Sequence, residues 1–134
     1  MTRLSQTLTT SIDRPPQAVY DYIRDPRHMP TWAPGFTSEV HEEDGTWIAQ
    51  TTEGPVTVAF VPDNDFLIAD HVVTVSDTVQ VLNPIRVLPN AEGAEVIFTV
   101  VQEEGQNDAE FEEILALVSG DLALLKRTLE GAAV

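Results

Sequence analysis

Residues 107–131 read NDAEFEEILALVSGDLALLKRTLEG, and the spacing of their apolar side chains decides the fold. Phe111, Leu115, Val118, Leu122, Leu125 and Leu129 recur at alternating intervals of four and three, the period of one buried helical stripe. Asn107 can cap this helix, with Glu110 at the reciprocal position of a capping box. Lys126 and Arg127 stand where positive charge complements the helix dipole, and Gly131 can end the helix. About 23 helical residues span roughly 35 Å at 1.5 Å per residue, enough to cross a whole sheet. Ile114, Leu117 and Leu124 fall off the stripe and either widen the buried face or form a partner surface. Gly120 costs the helix about 1 kcal/mol relative to alanine. It either permits a close approach of sheet or ligand or lies on neutral surface.

Upstream the period changes. Leu4 to Asp13 alternates, with Leu4, Leu8 and Ile12 on one side and polar residues on the other, as in a half-buried strand. Pro15-Pro16 then suits the first turn of a helix, whose apolar face is Val19, Tyr22 and Ile23. Asp25-Pro26 starts a second short helix that ends in the Pro30 to Gly35 region around Trp32. From Phe36 onward the period is two. Turn signals at Asp44-Gly45, Glu53-Gly54, 62–65, 76–78 and 90–93 divide this region. The strands fall near 36–43, 46–52, 55–61, 66–75, 79–88 and 94–102, an antiparallel meander.

The totals narrow the function. A chain of 134 residues, 43 % of them apolar, fits one folded domain over 1–134 with room for a cavity. Seven basic residues against 22 acidic ones leave a net charge of −15, which repels phosphate backbones and anionic lipid. Neither nucleic acid nor a membrane is expected as a partner. No run approaches the roughly 18 apolar residues of a membrane span. MTRLSQTLTT lacks the apolar core of a signal peptide, and cysteine is absent, so a cytoplasmic location is expected. The oligomeric state stays open, with a homodimer as one option.

Strand, two short helices, six strands and a long helix resemble the START-like, or SRPBCC, superfamily in its polyketide cyclase/dehydrase-like branch. The resembling stretches are SIDRPPQAVYDYIRDPRHMPTW (11–32), FVPDNDF (60–66), ADHVV (69–73), NPIRVLPNAEGAEVIFTV (83–100) and FEEILALVSGDLALLKRTLE (111–130). The resemblance implies an α+β helix-grip fold: a seven-stranded curved antiparallel sheet wrapped around the C-terminal helix. It also implies a cavity between sheet and helix. It does not imply one reaction, because the fold hosts carriers, cyclases, hydrolases and co-chaperones.

Turn lengths propose which side chains meet. A two-residue turn at Asp44-Gly45 sets Val40 against Ala49 and Ser38 against Thr51. One at Glu53-Gly54 sets Trp47 against Phe60 and Ala49 against Val58. Longer loops then set Val56 against His71, His71 against Asn83, and Asn83 against Val100. The resulting inner face is apolar except for a row of Ser38, Thr51, His71 and Asn83. Either these satisfy one another, or they orient the polar end of a ligand. The proposed ligand-binding set is Ser38, Thr51, His71, Asn83, Trp47, Val58, Phe60, Val81, Phe98, Phe111, Leu115 and Val118. One of Tyr20 and Tyr22 is expected at the pocket rim, whereas Trp32 and Trp47 read as packing residues.

His71 is the one acid/base candidate, and its structural alternative is a neutral core histidine bonded to Asn83. The three histidines, 28, 41 and 71, do not converge, so no metal is expected, and no cofactor fingerprint occurs. Three functions are compatible with these residues. One is non-covalent binding of a small hydrophobic or aromatic molecule. The second is a cyclase/dehydrase-type enzyme using His71, with Asn83, Ser38 or Thr51 orienting a carbonyl or hydroxyl. The third is an Hsp90-activator-like interaction domain with a collapsed cavity.

Overall fold

A computed structural model describes residues 1–131. The long helix, α3 (Asp108–Gly131), begins in the expected capping box. Asn107 Oδ1 accepts from Glu110 N at 2.8 Å, and Glu110 Oε1 accepts from Asn107 N at 3.1 Å. Phe111, Leu115, Leu122, Leu125 and Leu129 are buried, with Val118 half-buried among them. Because the helix runs on to Gly131, Lys126 stands before its last turn and has another task. Its Nζ donates to Ser11 O and to Glu130, tying α3 to the first strand. Arg14 supplies the missing donor near the end of the helix, bonding Leu129 O at 3.0 Å. Whether Gly131 stops the helix turns on residues 132–134, outside those described.

Among the described residues the strands number eight, in two sheets, rather than the seven expected in one. β1 (Ser5–Ile12), β8 (Gly93–Val101) and β7 (Ile85–Asn90) form one sheet in that order. β2 (Glu39–Glu43), β3 (Thr46–Thr51), β4 (Gly54–Phe60), β5 (His71–Thr74) and β6 (Gln80–Asn83) form the other. The extra strand arises at Pro84. A proline cannot donate to a ladder, so the segment expected over 79–88 divides there: β6 pairs with β5, and β7 pairs with β8. Thr99 N still bonds Pro84 O at 3.1 Å, keeping the two sheets adjacent.

The segment expected as a strand over 66–75 is extended ladder only from His71. Asn64 holds the part before it as a loop, its Oδ1 accepting from Phe66 N and Ile68 N and its Nδ2 donating to Ile68 O. Asp70, buried, closes the junction by accepting from Ile85 N at 2.9 Å and pairing with Arg86 at 3.2 Å.

Register follows expectation at three turns. Asp44 and Gly45 both have positive φ, as a two-residue hairpin requires, and Val40 faces Ala49. His71 faces Asn83, and Ile85 faces Phe98 with the offset expected for Asn83 and Val100. Three pairings differ. Trp47 faces Val58, not Phe60, and Ala49 faces Val56, not Val58, because the turn is Thr52-Glu53, closed by Thr51 Oγ1 donating to Gly54 O at 2.6 Å. Phe60, not Val56, faces His71, because the loop from 61 to 70 is longer than expected. Both slips are even-numbered, so every side chain keeps its face.

Before α3 lie α1 (Pro16–Ile23), a 3₁₀ turn (Pro26–His28) capped by Asp25, and α2 (Met29–Trp32). One core cluster joins α1, β7, β8 and the C-terminal half of α3 through Tyr20, Ile85, Val96 and Leu125. A second joins Met29 to Ala49, Val56, Val58 and Val73.

Two glycines give opposite expectations. A Cβ on Gly93 would stand 2.8 Å from the carbonyl oxygen of Ile12, a backbone atom that cannot step aside. Gly93→Ala should cost about 1–3 kcal/mol of unfolding free energy. A Cβ on Gly120 meets nothing within 4 Å. Gly120→Ala should therefore stabilise the protein, by about 0.5–1 kcal/mol. Urea unfolding of both variants measures the two signs, and a neutral Gly93→Ala would refute the close approach of β8 to β1.

Candidate functional site

Between α2, the five-stranded sheet and the N-terminal half of α3 lies a cavity of about 480 Å³. Met29, Trp32, Ala33 and Phe36 wall one side. Val56, His71, Val73, Val81, Asn83, Phe98 and Val100 line the sheet side, and Ile114, Leu117, Val118 and Asp121 the helix side. Val75, Leu82, Val101, Ile114 and Leu117 border it while remaining exposed, so its mouth is rimmed by apolar side chains. Ile114 and Leu117, off the main helical stripe, thus serve the cavity wall. Among the described residues, no three His, Asp or Glu side chains gather into a metal-holding group.

Six of the twelve proposed residues border this space: Thr51, His71, Asn83, Val81, Phe98 and Val118. The other six do not. Ser38 is exposed just before β2, and its neighbour Thr37 is buried instead, with Oγ1 donating to Gln50 O at 2.7 Å. Trp47 is half-buried on β3, and Val58 packs in the second core cluster. Phe60 stacks on the His71 ring at 4.5 Å between centroids. Phe111 and Leu115 are buried on α3 without bordering the cavity. The polar row is therefore shorter than expected, and Thr51 is already engaged in its own turn.

The two tyrosines stay out of the cavity as well. Tyr20 OH donates to Asp63 at 2.9 Å and accepts from Asn64 N at 3.1 Å. Tyr22 stacks on His28 at 4.0 Å. Both are structural.

His71 is 4 % exposed. Its Nδ1 lies 3.3 Å from Ala69 O, not against Asn83. A carbonyl can only accept, so Nδ1 carries the proton and Nε2 is left as an acceptor. Desolvation by burial holds the imidazole down to about 4, outweighing the Ala69 bond and the Asp70 charge, which act the other way. At pH 7 it is neutral.

The titratable group that sequence reading missed is Asp121. It is half-buried on the cavity wall and bonded through Oδ1 to Gly35 N at 3.2 Å. Burial pushes its carboxyl up to about 6, the Gly35 bond opposing only in part. A signal for it existed. Ile114, Leu117, Asp121 and Leu124 are spaced three, four and three, so Asp121 interrupts an otherwise apolar second row. Trp32 was legible only as packing. It is 2 % exposed, yet its Nε1 has no partner among the described residues.

A family model described as polyketide cyclase / dehydrase and lipid transport matches residues 3–131. The chain belongs to this family. Its membership agrees with the START-like resemblance of the sequence, and solved structures share the fold at low identity. XoxI from Bacillus cereus is 15 % identical, with 92 % of this chain and 94 % of that one covered and a TM-score of 0.71. An uncharacterised protein from Bacillus thuringiensis is also 15 % identical, with 93 % and 98 % covered and a TM-score of 0.74. The di-domain ARO/CYC protein BexL, from a biosynthetic pathway, is 21 % identical with a TM-score of 0.68. There 95 % of this chain covers 46 % of the other. A comparison with curated proteins gives no match. No helix among the described residues is long and apolar enough to cross a membrane.

Proposed function

We propose that residues 1–134 act as one helix-grip domain that binds a small hydrophobic or aromatic molecule without covalent attachment. The observation that carries this reading is the cavity itself. Its roughly 480 Å³ lies within the usual range of small-molecule sites, and its walls are mostly apolar. The family's cyclase, dehydrase and lipid-transport description is compatible with it. An open cavity weighs against the interaction-domain alternative, which needs that space filled. A neutral His71 weighs against its use as a general acid at pH 7, because it has no proton to give beyond the one bonded to Ala69 O. His71 Nε2 and Asn83 remain suited to orienting a ligand hydroxyl or carbonyl.

The neutral aromatic probe 2-naphthylethanol should bind with one site per chain, measured by its fluorescence. Val118→Trp, which pushes a large side chain into the cavity from α3, should weaken that binding at least about tenfold. Unchanged affinity in this variant, with the fold retained by circular dichroism, would place the probe elsewhere and sink the cavity reading. Native mass spectrometry of protein from its own host should show a retained small molecule.

A further inference from the structure

The charges around the cavity are of one sign. Glu53, Glu103 and Asp121 border it, while no lysine or arginine among the described residues does. His71 cannot supply a cation either, because it is buried and neutral. Of the three carboxylates, Asp121 stands apart. Glu53 and Glu103 are exposed, whereas Asp121 is half-buried against Gly35. Among the described residues it has no ion-pair partner, and its single hydrogen bond comes from Gly35 N. A carboxylate withdrawn from water without a counter-charge is poorly solvated, and a cation placed beside it would restore what burial removed. The raised protonation range of this carboxyl is the same cost seen from the protein's side. His71 is a second, independent pointer to a ligand. It is more than nine-tenths buried, it borders the same cavity, and its Nε2 has no protein partner among the described residues.

We infer that the cavity selects apolar molecules carrying a basic amine, which pairs with Asp121, and rejects apolar carboxylates. The inference rests on the binding function proposed above and names its ligand class. His71 Nε2, an acceptor, would take a hydroxyl of the same ligand. A carboxylate amphiphile would meet like charge at Asp121, Glu53 and Glu103 and no cation to receive it.

Three probes that share one ring system test this: 2-naphthylethylamine, 2-naphthylethanol and 2-naphthylacetate, titrated by calorimetry at pH 7.5. The amine should bind about tenfold more tightly than the alcohol, the worth of one charge-assisted hydrogen bond, and the acetate more weakly than either. Asp121→Asn keeps an acceptor for Gly35 N and should erase the preference, the amine binding that variant no more tightly than the alcohol does. Glu112→Gln, the loss of an exposed acid away from the cavity, should leave the preference intact, which separates Asp121 from the overall charge of −15. If the alcohol binds but the acetate equals or exceeds the amine, the charge selection is wrong and the cavity reading survives. An amine preference that persists in Asp121→Asn likewise overturns the inference alone. If none of the three binds, the cavity reading falls and the inference with it.

Discussion

Lowering the pH from 7 to 4 should remove about 3 kcal/mol of folding stability through His71 alone, and His71→Leu should abolish that part of the loss. The sign follows from the direction of the shift. His71 is held down to about 4 in the folded protein by burial, against an ordinary value of 6.5. Between those values the unfolded chain takes up a proton that the folded one refuses, so acid favours unfolding. The contribution is fully present above about pH 6.5 and is lost as pH falls toward 4. Two and a half pH units correspond to roughly 3 kcal/mol. Asp121 acts in the opposite direction. Its carboxyl is raised to about 6 from 3.8, so the folded state gains stability as pH falls through 6, by about 1–2 kcal/mol after allowance for solvent screening of a half-exposed group. Urea unfolding of wild type and His71→Leu at pH 7 and pH 4 separates these effects. At pH 7 the variant should lie within about 1 kcal/mol of wild type, having lost one hydrogen bond to Ala69 O. At pH 4 it should be the more stable protein. Parallel pH profiles would mean that the imidazole is not desolvated in solution.

That His71 points inward was legible from turn lengths, and the reason is the parity of strands. Trp47 meets Val58 rather than Phe60, and His71 meets Phe60 rather than Val56, yet both errors are even numbers of residues. An even slip exchanges neighbours along a face without turning any side chain over. The turns at Asp44-Gly45, 76–78 and 90–93 kept their expected offsets, and within them the one side chain that bonds the backbone, Ser76, reaches only two residues on. Those near Thr51 and Asn64 did not, because one side chain captured a backbone group several residues on and closed the chain differently. Pro84 carried its own warning, since a proline in an interior strand argues against that strand. Asp121 is a different kind of miss. Its place in the second row of α3 was legible, but its burial involves Gly35, 86 residues away in the chain, which no local pattern reveals. The second apolar row of α3 was visible; what it faced was not.

The division of α3 into a core half and a cavity half has a measurable consequence. Leu125 is 0 % exposed and sits in the cluster that includes Ile85, Val87 and Val96. Seven residues earlier, two turns toward the N-terminus, Val118 lies on the same stripe but borders open space. Both read identically as members of one apolar series. Leu125→Ala should cost about 3–5 kcal/mol, because close-packed neighbours cannot collapse into the void left behind. Val118→Ala removes less surface and merely enlarges a cavity that already exists, so its cost should stay below about 1.5 kcal/mol. The order should reverse for ligand. Leu125→Ala, measured well below its lowered midpoint, should bind 2-naphthylethanol as wild type does. Val118→Ala should shift that affinity, since it alters the wall the probe touches. Denaturation curves and probe titrations of the two variants supply all four quantities. Equal stability losses at the two positions would mean that the space beside Val118 is packed solid. Equal effects on binding would mean that the C-terminal half of α3 also touches the ligand.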